Sequence, residues 1–176
     1  MMKSMKLKML AVMVIFAFTA CQSPRQEAIG KIEQLENDLF GEEGVLVHEH
    51  IDKLINAYLN FAEEYPDDTL APQYLFKAGD IAMNTNRSNQ AITYYGRIIE
   101  EYPDYRKAPE AMFLQAYVYE NNLGRLDKAR TIYQEFLGKY PTNEFADDAQ
   151  VSLKYLGKTP EELIEIFSKE NPEAGE

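Results

Sequence analysis

Two histidines, three adjacent acidic pairs and one cysteine are the residues of this chain whose chemistry could amount to more than packing. His48-Glu49-His50 contains both histidines of the sequence, and imidazoles beside a carboxylate have the composition of a metal site. Residues two apart on a helix diverge by about 200°, and no Cys or distant His completes the ligand set, so a solvated helix start is expected. Glu63-Glu64, Glu100-Glu101 and Asp147-Asp148 have the composition of a carboxylate pair for acid/base work. Neighbours on a helix diverge by about 100° and do not converge on one substrate atom, so these pairs are expected to be solvated faces. The chain carries no phosphate-binding glycine loop, nucleophile elbow or zinc-binding helix motif. No catalytic residue, metal or cofactor is expected.

Cys21 is placed differently. Lys3, Lys6 and Lys8 precede an uncharged run over residues 9–20, and the small residues Thr19 and Ala20 lead into Cys21. That is the order of a secretory signal, and the run is shorter than the about 20 residues a membrane span needs. Phe18-Thr19-Ala20-Cys21 resembles the lipobox of bacterial lipoproteins, with Phe18 where Leu is usual. The resemblance implies cleavage of residues 1–20 and lipidation of Cys21. Residues 21–25 would then be the lipidated Cys and its polar leash, Gln22-Ser23-Pro24-Arg25. Each buried acyl CH₂ contributes about 0.8 kcal/mol, so several chains would hold the protein on a bilayer. By resemblance to proteobacterial lipoproteins, the absence of Asp after the Cys implies the outer membrane, facing the periplasm.

Without the leader the chain has 15 basic against 29 acidic residues, a formal charge of −14. This charge repels nucleic acid and gives no basic surface for anionic lipid, so attachment to a membrane has to be covalent or apolar. With 45% hydrophobic and 27% charged residues the composition is globular, and 12 Tyr and 9 Phe supply large side chains for packing. The lone Cys excludes an internal disulfide.

The elements that must position any site are helices. Apolar residues three or four apart predict helices over residues 26–40, 47–64, 71–85, 88–101, 106–122, 126–139, 143–157 and 160–169. No stretch alternates as a strand does. Tyr65-Pro66, Tyr102-Pro103 and Tyr140-Pro141 recur 37 and 38 residues apart, each closing a helical stretch. Proline lacks the N–H of a helix interior and drives the preceding residue out of the helical region. A stop repeated at constant phase means a repeated unit.

Within the first unit Leu75, Ala78, Gly79 and Ala82 are followed by Ala91, Tyr95, Ile98 and Pro103. In the second, Met112, Gln115, Ala116 and Tyr119 are followed by Ala129, Tyr133, Phe136 and Pro141. These fall at the phases of the tetratricopeptide pattern, W-x₂-L-G-x₂-Y, A-x₃-F and P, which the chain resembles over residues 47–157. Gln115 stands at an apolar phase and Lys154 at a small-residue phase. Small Gly79 or Ala116 opposite Ala91 or Ala129 would let the two helices of a hairpin approach closely. The longer unit, with Tyr-Pro-Asp turns before Ala-Pro helix starts, is similar to repeats of bacterial envelope proteins. These are the outer-membrane-protein assembly lipoprotein of the BamD type and the Tol-Pal-associated repeat domain of the CpoB type.

The resemblance implies an all-α fold of helical hairpins stacked as a short right-handed solenoid. Residues 26–66 would form an irregular capping hairpin, 67–170 the repeats and 171–176 a flexible tail. In the family the first helix of each hairpin lines a concave groove. Carried to this chain, its exposed phases are Gln73, Phe76, Asp80, Met83 and Asn84, then Glu110, Phe113, Tyr117, Glu120 and Asn121. Aromatics mixed with amides and carboxylates suit a peptide-binding face. Lacking the Lys and Arg that clamp a terminal carboxylate in chaperone-binding relatives, the groove is expected to prefer a basic or amide-rich segment. The function implied is a non-enzymatic scaffold of the cell envelope, lipid-anchored, binding envelope or outer-membrane proteins but no nucleic acid or small-molecule substrate. Alternatives are an accessory subunit using its convex face or its degraded terminal repeats, and a metal-binding or enzymatic protein using His48 and His50.

Overall fold

A computed structural model describes residues 23–39 and 48–170. The leader, Cys21, Gln22, the Gly41-Glu42-Glu43-Gly44 break and the tail over 171–176 lie outside them. Among the described residues all regular structure is helical: α1 (Pro24–Asn37), α2 (His48–Glu64), α3 (Ala71–Asn84), α4 (Ser88–Glu101), α5 (Ala108–Tyr117), α6 (Leu126–Lys139), α7 (Ala146–Tyr155) and α8 (Pro160–Glu170). Each of α1 to α7 packs on its sequence neighbour, which is the order of stacked helical hairpins. The fold is an all-α helical repeat solenoid.

The three Tyr-Pro turns share one hydrogen-bond pattern. Tyr65, Tyr102 and Tyr140 N–H groups donate to the Phe61, Ile98 and Phe136 carbonyls. Asp68, Tyr105 and Asn143 then donate back to the three Tyr carbonyls, and Ala71, Ala108 and Ala146 donate to the residues at 68, 105 and 143. Tyr102 and Tyr140 adopt φ −132°, ψ 55° and φ −131°, ψ 55°, outside the helical well, as the following Pro requires. Asp68 and Asn143 add a side-chain acceptor for the N–H two residues on, at 2.9 and 3.0 Å.

The extra residue of the second unit has a definite place. After Tyr117 the backbone widens into a π-helical turn over Val118–Asn122, closed by the Leu123 N–H on the Val118 carbonyl. A π turn holds one residue more than an α turn. It absorbs the step from 37 to 38 while α5 and α6 keep their packing.

The core is aromatic and periodic. Tyr95 and Tyr133 are fully buried; Phe76 packs on Tyr95 at 5.9 Å and Phe113 on Tyr133 at 5.7 Å between ring centroids. At Gly79 a Cβ would sit 2.5 Å from Tyr95 Cε1, so the small residue makes room for the Tyr95 ring, rather than for Ala91 alone. Gln115, at its apolar phase, is half-buried because its amide donates to the Ile92 carbonyl at 2.8 Å, tying α5 to α4.

Both ends differ from expectation. α1 begins at Pro24, not at residue 26, with Ser23 capping it by accepting from the Gln26 N–H at 3.3 Å. Pro24 and Arg25 therefore belong to the helix and not to a leash. Arg25 forms a two-point ion pair with Asp68, whose longer contact is 3.1 Å. Glu36 accepts from the Tyr58 hydroxyl at 2.6 Å and the Lys77 ammonium at 2.7 Å. These contacts latch α1 onto α2 and α3. At the other end α8 has the reciprocal cap of a Thr-x-x-Glu start: Glu162 N–H donates to Thr159 Oγ1 and Thr159 N–H to a Glu162 carboxylate oxygen. Unlike the other seven helices, α8 does not pack extensively on another helix, so it does not complete a third regular hairpin.

Candidate protein-binding face

On α3 the expected stripe divides by environment. Gln73 and Asn84 are exposed, and Asp80 and Met83 are half-buried. Phe76 is only 5% exposed. On α5 and the π turn after it, Tyr117 and Asn121 are exposed, while Glu110 and Glu120 are half-buried. Phe113 is 9% exposed. The expectation that Phe76 and Phe113 stand exposed as anchors is therefore corrected. Each ring packs on the buried Tyr of its own hairpin, and Phe113 also stacks on Phe145 of the following unit at 5.0 Å, so both belong to the core.

The carboxylates of the stripe are engaged internally. Asp80 accepts from the Tyr95 hydroxyl at 2.8 Å and Glu120 from the Tyr133 hydroxyl at 2.9 Å. Burial pushes the Asp80 carboxyl above its usual range, and the Tyr95 hydrogen bond opposes that shift. Burial, with the neighbouring carboxylates, raises both tyrosines, so they act as donors across physiological pH. Asn84 and Asn121 fold their NH₂ groups onto the Asp80 and Tyr117 carbonyls at 2.8 and 3.1 Å.

Two lysines went unnoticed in the sequence. Lys107 lies over the Phe76 ring at 4.1 Å from its centroid and pairs with Glu110 at 3.1 Å, which brings α3 and the first turn of α5 together around Phe76, Asp80 and Glu110. Lys77 sits 5.7 Å from the Tyr74 ring centroid while bonded to Glu36. The i,i+3 spacing of Lys107 and Glu110 at a helix start was the one available signal. A separate cleft of about 470 Å³ lies between successive turns, lined by Pro66, Asp67, Pro72, Tyr102, Asp104 and Tyr105 among others. The recurring Tyr-Pro-Asp turns pointed to its walls, but not to the space between them.

The remaining chemical candidates show their surroundings. Glu63, Glu64, Glu100, Glu101, Asp147 and Asp148 are all exposed, and Glu101 pairs with Arg97 at 2.9 Å. His50 donates through Nδ1 to the Asp38 carbonyl, since a carbonyl can only accept; the His48 side chain lies outside the described residues. No group of three or more His, Cys, Asp and Glu side chains able to hold a metal occurs among the described residues. None of the described helices is long and apolar enough to cross a membrane.

The tetratricopeptide repeat family model matches residues 76–144, the span from Phe76 on α3 to the turn before α7. No curated protein matches the chain. The match and the all-helical stack support a tetratricopeptide-repeat protein, and repeats of this kind support a role in binding other proteins.

Proposed function

We propose that the protein is a non-enzymatic scaffold of the bacterial cell envelope, anchored by lipid at Cys21 to the outer membrane facing the periplasm. There it holds envelope or outer-membrane proteins during outer-membrane biogenesis or envelope coordination. The observation that carries the binding role is the tetratricopeptide stack with Tyr117, 42% exposed, on the outward stripe of α5. It is the only large apolar side chain exposed on α1 to α6 among the described residues. Gln73, Asn84 and Asn121 add amides along the same stripes, and Glu110 and Glu120 add carboxylates. An aromatic anchor among amides and carboxylates favours an amide-rich or basic peptide over an acidic one.

The lipid anchor and the envelope location rest on the Phe18-Thr19-Ala20-Cys21 pattern and the apolar run before it. Structure adds one consequence. Because α1 starts at Pro24, only Gln22 and Ser23 would separate the lipidated Cys from folded protein. At about 3.5 Å per extended residue, the Arg25–Asp68 end of the stack would be held within roughly 10 Å of the bilayer surface.

Tyr117→Ala tests the binding face. It should leave stability within about 0.5 kcal/mol, as for an exposed position, and weaken capture of co-purifying envelope proteins severalfold; unchanged capture removes the α5 stripe from the function. Cys21→Ser, followed by fractionation, should move the protein from membrane to soluble fractions. Continued membrane retention contradicts the lipid anchor.

A further inference from the structure

Four large apolar side chains stand exposed among the described residues, and apart from Tyr117 they are all on the last two helices: Val151 at 54%, Ile164 at 67% and Phe167 at 46%. They form one strip. Val151 lies one turn before Tyr155 on α7, the Phe167 ring is 5.3 Å from the Tyr155 ring, and Ile164 lies one turn before Phe167 on α8. Half-buried Leu163 and Ile166 continue the apolar side of α8.

Position in the stack explains why such a strip exists. At each earlier step the outward apolar side of one hairpin is covered by the next unit, as Phe145 covers Phe113. After α7 the chain turns at Leu156-Gly157, with Leu156 buried and Gly157 at φ 78°, and α8 meets α7 at the Tyr155–Phe167 ring contact without the extensive packing of a regular hairpin. Exposed apolar strips of this kind mark interaction sites.

The rim of the strip selects the occupant. Asp147 and Asp148 open α7, and Glu161, Glu162 and Glu165 flank the strip on α8, all exposed. The nearby cations are Lys158 and Lys169, paired to Glu162 at 3.2 Å and Glu165 at 2.6 Å, and Lys154, which lies over the Tyr155 ring at 4.9 Å from its centroid; with three lysines against five carboxylates the rim stays net acidic. A second copy would bring the same acidic rim on a chain of formal charge −14 without its leader, and an anionic lipid surface would be repelled likewise. Ile164 and Phe167 make an i,i+3 ridge, which fits the groove of another helix.

We propose that the α7–α8 face docks an amphipathic helix of another protein whose apolar stripe is bordered by Lys and Arg. This is a second surface, independent of the α5 stripe and of any lipid anchor.

The test uses the purified full-length chain and two labelled synthetic helical peptides of the same Leu pattern, one flanked by Lys and the other by Glu. Fluorescence anisotropy should show saturable binding of the Lys peptide and at least tenfold weaker binding of the Glu peptide. The double variant Ile164→Ser/Phe167→Ser, with far-UV circular dichroism as a check on folding, should lose at least tenfold in affinity for the Lys peptide. The control Gln134→Ala, at an exposed position of α6, should bind it as the parent does. Equal binding by parent and double variant, or equal binding of the two peptides, overturns the proposal. So does self-association in sedimentation, or binding to neutral phosphatidylcholine vesicles, that the double variant abolishes. A failure here leaves the Tyr117 face untouched, and loss of binding through Tyr117→Ala would instead assign the peptide to that face.

Discussion

Tyr58, Tyr95 and Tyr133 each lie seven residues before a Tyr-Pro pair. All three bury their rings while donating a hydroxyl hydrogen bond to a carboxylate: Glu36, Asp80 and Glu120 respectively. A buried Tyr needs such a partner, and the repeat supplies one each time from a helix earlier in the chain. The same economy governs Phe76 and Phe113, whose rings fill the space against Tyr95 and Tyr133. Phe113→Ala should therefore destabilise the domain by about 3–5 kcal/mol, the range for truncating a buried aromatic, measured by urea denaturation. A loss below about 1 kcal/mol would return Phe113 to the binding face.

Among the elements, α1 joins the core through one fully buried residue, Ile32, with Ala28, Ile29 and Leu35 packed half-buried around it, and adds the polar contacts of Arg25 and Glu36. Its latch to the first turn depends on Asp68, whose carboxyl the Arg25 hydrogen bond, aided by the Leu70 N–H, holds below the usual carboxylate range. A depressed pKa means that the stabilisation is complete above the unfolded value, 3.8, and is lost as pH falls through the folded one. Asp68→Asn should be less stable than the parent at neutral pH. In urea denaturation followed from about pH 7 to about pH 2, the difference should shrink as acid protonates Asp68; a constant difference would mean that the charge is irrelevant. The second hairpin shows a different adjustment, with Val118–Asn122 widened to a π turn so that a 38-residue unit stacks like a 37-residue one.

At the scale of the whole molecule, a solenoid is stabilised by contacts between neighbours, so an end helix with little packing opens without the rest. α8 is such a helix. Native-state hydrogen exchange should show its amides exchanging by local opening, at least a hundredfold faster than those of α3 and α4 relative to their intrinsic rates. Equal protection across α3, α4 and α8 would mean that α8 is integral to the cooperative unit. The exposed Val151, Ile164 and Phe167 strip would then need another explanation.

The order of the helices, their stops at Tyr65-Pro66, Tyr102-Pro103 and Tyr140-Pro141, and the cap at Thr159-Pro160 were legible in the chain, because proline geometry and local capping act within a few residues. Helical phase also drew one stripe, through Gln73, Phe76, Asp80 and Met83 on α3 and Glu110, Phe113 and Tyr117 on α5. Which of its side chains are free was not legible. The first helix of a hairpin has apolar contacts on two sides, with its own second helix and with the following unit, and periodicity marks an apolar position without saying whether a neighbour covers it. Tertiary structure decided that Phe76 and Phe113 are covered while Tyr117 is open, that Gln115 is accommodated through the Ile92 carbonyl, and that nothing among the described residues covers Ile164 and Phe167. Each of these depends on contacts between residues distant in sequence, which spacing alone does not encode.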